Sequence, residues 1–311
     1  MGGRMSLMLR RRAMMSSGPK EQPNYLCFTA LESGTFTLTI GSYLSTTNYS
    51  YVEYSTDDGA TWVKTNNVNS TTITVTTPSI SPGGKVLWRG VGLRMSQSNS
   101  GADARCCVFS ATCNYNVSGL LMSLFYRKNV TENSTLSSTY SCPRLFNGDT
   151  HIIDASGLNM PSNTTQYCYD FMFQNCTNLK KAPQLPATSL ATYCYRSLFS
   201  GCTKLTDAPE LQALVLSGNC YYQMFNNNYA LMYLKMLATD ISASNCLYYW
   251  VNGVTNTSDF IFVKNINATW TTSGTSGTRP NWTIIYYDPE LDKYYLDQQR
   301  SQECDDHGNP I

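Results

Sequence analysis

Four cysteines, Cys168, Cys194, Cys220 and Cys246, stand 26 residues apart, and Cys176 and Cys202 repeat that interval. They mark tandem units: YCYDFMFQNCTNLKKAPQLPATSLAT (167–192), YCYRSLFSGCTKLTDAPELQALVLSG (193–218) and NCYYQMFNNNYALMYLKMLATDISAS (219–244). The third unit carries Asn228 in place of the second cysteine, and a degenerate fourth opens NCLYYWVNGV at Asn245. A divergent earlier unit opens near Tyr140, with Leu145, Phe146, Ile152, Ala155 and Leu158 following the pattern at a 27-residue offset. A unit this short cannot bury its own apolar face, so successive units must stack. Cysteines that recur at one position of a stacked unit serve as small apolar core residues. The twelve cysteines are therefore expected as reduced, buried thiols and not as a disulfide framework. Zinc is disfavoured, because no C-x2-C pair occurs and His151 and His307 are the only histidines.

A period of 20–29 residues with leucine at fixed offsets predicts coils of the leucine-rich type. Within a unit, the CYxxMFxxC stretch is expected as a helical turn on the convex side. The LxxAPxL stretch is expected as a strand, short or bulged because proline cannot donate to a ladder. About five coils at about 4.8 Å each make a compact wedge about 24 Å long. Tyr193, Tyr195, Tyr221, Tyr222, Tyr248 and Tyr249 recur beside the cysteines. They admit two readings, packing between successive coils or a binding stripe, since tyrosine stacks on sugars and peptides at low entropic cost.

Ahead of the repeats, FTLTI (36–40), YVEYS (51–55), ATWVKT (60–65), ITVTT (73–77) and KVLWRG (85–90) alternate between turn signals and predict short strands of a small β-sandwich. Between the second and third, Ser55, Asp57, Gly59 and Trp62 fit the S-x-D-x-G-x-T-W pattern of an Asp-box hairpin. Here it is expected as a fold staple in which the carboxylate caps the turn and the tryptophan packs below. The segment 108–139 is expected as a connector whose apolar run VSGLLMSLFY (117–126) caps the first coil. DFIFVK (259–264) and NWTIIYY (281–287) continue and close the coils.

The resulting organisation is a basic arm (1–23), a β-sandwich-like domain (24–107), a connector and cap (108–139), a repeat solenoid with its C-terminal cap (140–287) and a polar tail (288–311). The fold class is mainly β with short helical turns. Arg10, Arg11 and Arg12 in the arm are candidates for anchoring to another protein, and no apolar h-region follows them. Carboxylates cluster only in the tail. Asp288, Glu290, Asp292 and Asp297 lack the spacing of a calcium loop, and Glu303, Cys304, Asp305, Asp306 and His307 are expected as an exposed terminal run without a metal. Sequons such as those at Asn129 and Asn267 reflect the richness in Asn and Thr.

The units F-x-x-C-T-x-L (173–179) and A-P-x-L-P-A-T (182–188) resemble the BspA-type leucine-rich repeats. Together with the closing LATDISASNC (237–246), they are similar to repeat proteins of gut Bacteroidales and of the phages that infect them. Relatives of this type carry a small β-domain with a YSxDxGxTW hairpin and a GGKVLWRG strand before the repeats, and a short Arg/Met-rich start. The present copy departs from the repeat consensus at 212–216 and 226–230. The resemblance implies adhesins and surface-recognition proteins with no enzymatic activity attached to the repeats.

The composition fits that expectation. Only 14% of residues are charged, against about 25% in an average domain, and net charge is +1. Nucleic acid is disfavoured as the principal partner, because phosphate binding needs a basic face. No apolar stretch reaches the roughly 18 residues needed to span a membrane, and no motif for a cofactor or catalytic nucleophile sits in a fitting context. The expected function is a non-enzymatic virion protein of the tail or a head or tail fibre. It would be made in the host cytoplasm, held by its arm and β-domain to other virion proteins, and turned toward a host surface glycan or protein. A fibre role implies a homo-oligomer such as a trimer. The alternatives are a bacterial cell-surface adhesin and, on the strength of the Asp-box alone, a carbohydrate-active enzyme.

Overall fold

A computed structural model of the chain describes residues 25–41, 49–64, 73–92, 106–126, 130–255, 257–270 and 276–311. Arg10, Arg11 and Arg12 lie outside them. The architecture is mainly β, in several open sheets, with one four-residue helix, α1 (Ser123–Tyr126), among the described residues.

The first strands are β1 (Leu26–Ala30), β2 (Phe36–Ile40), β3 (Tyr49–Ser55), β4 (Val63–Lys64), β5 (Ile73–Thr76), β6 (Lys85–Gly92), β7 (Cys107–Ala111) and β8 (Tyr115–Leu120). With β9 (Ile152–Asn159), they form a six-stranded sheet ordered β4-β3-β6-β1-β8-β9 and a three-stranded sheet ordered β5-β2-β7. Alternation directs Phe36, Leu38 and Ile40 of β2 inward while Thr37 and Thr39 stay at the surface. The two sheets meet ring to ring: Phe28 lies 5.5 Å from Phe36 and 4.9 Å from Phe109, and Trp88 lies 4.9 Å from Phe109.

The expected connector contributes more than a link. β7 is an edge of the three-stranded sheet, and β8 pairs antiparallel with β1 and parallel with β9 of the first repeat unit. The apolar run after residue 115 therefore does lie on the first unit, as a strand that both regions share. Phe109 stacks on Phe146 at 5.7 Å, so one hydrophobic core runs from the N-terminal sheets into the repeats.

Successive repeat units, each a rung, are hydrogen-bonded to one another, and part of each joins a parallel β column. It runs from β9 through single bridges at Lys181 and Asp207 to β10 (Tyr233–Met236), β11 (Ile261–Asn265) and β12 (Thr283–Asp288). The strand shrinks to one bridged residue at Lys181 and Asp207, two residues before Pro183 and Pro209.

The other part of each rung departs from the expected helical turns. The CYxxMFxxC stretches are chains of tight turns with positive φ at every fourth residue, three in each of five rungs. Tyr167, Phe171 and Asn175 have φ of 59°, 58° and 60°, and Tyr193, Ser197 and Gly201 have 60°, 51° and 77°. Backbone bonds alternate. The N–H of Met172 donates to Tyr169 O within its own turn, whereas those of Tyr169, Phe171 and Phe173 donate to Cys194, Arg196 and Leu198 of the next rung. The third residue of a type II turn needs positive φ, which explains Gly and Asn here. Tyrosine and phenylalanine at such positions cost about 1–2 kcal/mol each. That cost is offset by the inter-rung hydrogen bond and by ring stacking, each contributing about 1 kcal/mol.

Side chains accordingly recur in columns. Phe146, Phe173, Phe199 and Phe225 stack at 5.1, 5.7 and 5.8 Å. Glycine and asparagine alternate along Gly148, Asn175, Gly201, Asn227 and Gly253, because a Cβ on Gly201 would fall 2.4 Å from Asn175 Oδ1.

Residues 288–311, expected as an extended polar tail, fold instead. β13 (Lys293–Tyr295) and β14 (Glu303–Cys304) add antiparallel to β12, and Cys304 joins Val263 and Ile285 in a second small core. Asp288 is buried, holding Arg300 Nε at 2.7 Å and the N–H groups of Glu290 and Leu291. A buried carboxylate so bound is a structural anchor, and with Cys304 buried as well it corrects the expectation of a polar tail ending in an exposed run.

Candidate binding surface

Cys168, Cys194, Cys220 and Cys246 form one column and Cys176 and Cys202 another, all buried. None of the twelve cysteines is in a disulfide. Burial pushes the thiols of Cys168 and Cys220 up to about 12 and raises that of Cys202 as well. The second column also makes hydrogen bonds: Cys176 Sγ donates to Phe146 O at 3.0 Å and Cys202 Sγ to Phe173 O at 3.1 Å. Polar residues take the equivalent place at either end. Asp149 accepts from Tyr115 Oη at 2.7 Å and His151 N at 2.9 Å, with burial raising its pKa. Asn228 is fully buried with neither side-chain oxygen nor nitrogen partnered.

The six tyrosines named from the sequence divide. Tyr195 and Tyr221 are 1% exposed, Tyr195 stacking on Tyr169 at 5.6 Å and Tyr221 on Tyr195 at 6.2 Å, so for these two the packing reading holds and the binding reading is corrected. Tyr193, Tyr222, Tyr248 and Tyr249 are half-buried at the surface. Tyr222 stacks on Tyr248 at 5.1 Å, and Tyr249 meets Tyr248 edge-on at 4.4 Å.

Tyr193 belongs to a larger cluster that the sequence reading did not single out. Tyr140, Tyr167 and Tyr193 stack almost parallel at 5.0 and 4.7 Å. Beside them the Arg144 and Arg196 guanidiniums lie 4.6 and 4.7 Å from the Phe171 ring. Arg196 also sits 5.0 Å from Tyr193 and grips Asp170 through Nε at 2.8 Å and an Nη at 2.5 Å. The available signal was the shared register, since Tyr167 precedes Cys168 as Tyr193 precedes Cys194.

In the Asp-box hairpin, Asp57 accepts from Ser55 Oγ at 2.6 Å, Thr61 N at 2.9 Å and Thr61 Oγ1 at 2.6 Å. Trp62 Nε1 donates to Gly59 O, and Arg89, paired with Glu53 at 2.6 Å, lies 3.6 Å from the Trp62 ring. The Ser55 and Thr61 bonds hold the Asp57 carboxyl down to about 2. Both carboxylate oxygens thus serve the turn.

The departure at 212–216 leaves Leu214 and Val215 half-exposed or more beside an open groove of ≈ 720 Å³ floored by Leu190, Leu216 and Leu237. Asp305, Asp306 and His307 bring their ligand atoms within 4.8 Å at the surface, but Asp305 already caps the turn through the N–H groups of His307 and Asn309. Among the described residues no helix is long and apolar enough to cross a membrane. The chain matches no protein-family model, no curated protein and no solved structure.

Proposed function

We propose that the chain is a non-enzymatic surface-recognition protein, a short leucine-rich-repeat-like solenoid behind a small β-sandwich. We further propose that it serves as a virion component, in the tail or a head or tail fibre, that meets a host-surface glycan or protein. The observation that carries this reading is the register of the repeats: N–H groups of one rung donate to carbonyls about 25 residues ahead, so each surface position recurs on the next rung. Such a stack presents rows of one chemical group to a partner. The low charge and the resemblance of the repeats to BspA-type proteins support the same reading. The Asp-box commits both carboxylate oxygens of Asp57 to the turn, which speaks against the enzymatic alternative that rests on that residue.

Mass spectrometry of purified virions tests it. Peptides of this chain in fixed ratio to the capsid protein are expected. Their absence from particles, with the chain recovered in the bacterial envelope fraction, would replace the virion role by that of a cell-surface adhesin.

A further inference from the structure

We infer that the Tyr140–Tyr167–Tyr193 column and Arg144 form a binding site for an acidic polysaccharide, with Arg144 taking the carboxylate or sulfate and the phenol hydroxyls taking sugar oxygens. The inference deepens the recognition reading above and rests on it. Two observations on this one patch carry it.

The first is an uncompensated cation. Arg144 and Arg196 sandwich Phe171, yet the pair has one acid between them, Asp170, and Arg196 holds it bidentately. No carboxylate among the described residues pairs with Arg144, and its buried Nε has no partner. A planar guanidinium with no acid paired to it among the described residues, laid on an aromatic ring, is preorganised to offer its outer N–H groups to an oxyanion.

The second is the adjoining row of hydroxyls. The three tyrosine rings are within 15° of parallel and cover one another's faces, so their edges form the accessible part. None of the three phenol oxygens has a hydrogen-bond partner among the described residues. Arg196 touches Tyr167, Tyr193 and Phe171, which places the Arg144–Phe171 contact beside the tyrosine row. With the faces between the rings covered, a ligand running along the row meets ring edges and hydroxyls. Rings repeating every 4.7–5.0 Å, each bearing one hydroxyl, suit a polymer whose oxygens recur at about the advance of one sugar along an extended chain.

The test uses the full chain, with polygalacturonate as the carboxylate probe, dextran sulfate as the sulfate probe and neutral dextran as reference, read by calorimetry and by competition of adsorption to host cells. At least one acidic polymer is expected to bind, more weakly as salt rises, and dextran is not. Arg144→Gln is expected to lose about tenfold or more, as for a charged hydrogen bond. Tyr167→Phe and Tyr193→Phe, which keep the stack and remove only hydroxyls, should each lose several-fold. Lys204→Gln, on an exposed lysine bonded to Asn178, should change nothing. If Arg144→Gln fails to fold, the two phenylalanine variants decide alone. Equal binding by dextran, no binding by either acidic polymer, or unchanged binding by the variants overturns the site. Adsorption to host cells that the acidic polymers do not compete would overturn the site while leaving recognition intact. Absence of any adsorption would count against recognition itself.

Discussion

Asn228 offers a direct measure of how strongly the stack enforces its columns. It stands where Cys176 and Cys202 stand two rungs and one rung earlier, fully buried, with both polar side-chain atoms unpartnered. Each cysteine donates its S–H to the carbonyl of the phenylalanine three residues before the equivalent position of the preceding rung. For residue 228 that acceptor is Phe199 O, which already receives Cys202 N and keeps a second lone pair. A buried amide without partners costs about 1–3 kcal/mol, and Asn228→Cys removes that cost at similar volume while restoring the S–H bond. The expected gain is about 2 kcal/mol, or a rise in Tm of roughly 4 °C for a chain of this size. Urea unfolding should show a higher midpoint with unchanged m. Asn228→Ala, which also removes the amide but leaves a void, should fall below Asn228→Cys. A destabilised Asn228→Cys would refute the reasoning, since it would mean that the amide makes bonds the stack requires.

Three further predictions follow from the same geometry. Gly201→Ala places a side chain at φ 77° and against Asn175 Oδ1, so it should cost more than about 1–2 kcal/mol. Gly218→Ala, whose new Cβ would have nothing nearer than 3.7 Å, should stay within about 0.5 kcal/mol in the same melt. Asp57 has a folded pKa of about 2, below its unfolded value near 4, so its contribution is complete above about pH 4 and disappears as pH falls through 2. An NMR carboxyl titration that put Asp57 at an ordinary value would contradict the hairpin geometry. The buried, high-pKa thiols should resist iodoacetamide in the native protein and all twelve should react after denaturation. Rapid native labelling of Cys168 or Cys194 would remove them from the core.

Much of this was visible in the residues. The 26-residue interval located the stack, the recurring cysteines identified a core column, and S-x-D-x-G-x-T-W identified the one hairpin whose bonds could be anticipated. The turn ladder was not legible, because Cys168, Met172 and Phe173 recur at helix-like offsets while the left-handed residues among them include Tyr167 and Phe171, which propensity argues against. β1 escaped notice because LCFTA is buried almost throughout and lacks alternation. The charged C-terminal segment looked solvated because its apolar contacts, Cys304 on Val263 and Ile285, are few and far apart in sequence. For the tyrosines, side-chain type was informative and position was not. Tyr193 and Tyr195 sit two residues apart, yet one edges the surface and the other is sealed between rungs.

The central claim is that each 26-residue unit is an interchangeable rung. Thermal unfolding of two deletions tests it directly. Removing 193–218 brings Cys168, Tyr169 and Phe173 opposite Cys220, Tyr221 and Phe225, so these columns close again, and the one mismatch is Asn227 in place of Gly201 against Asn175. That protein is expected to melt cooperatively, at a somewhat lower Tm. Removing half a unit, 193–205, destroys every register and is expected to abolish the transition. Equal behaviour of the two deletions, folded or unfolded, would contradict the stacked-rung account.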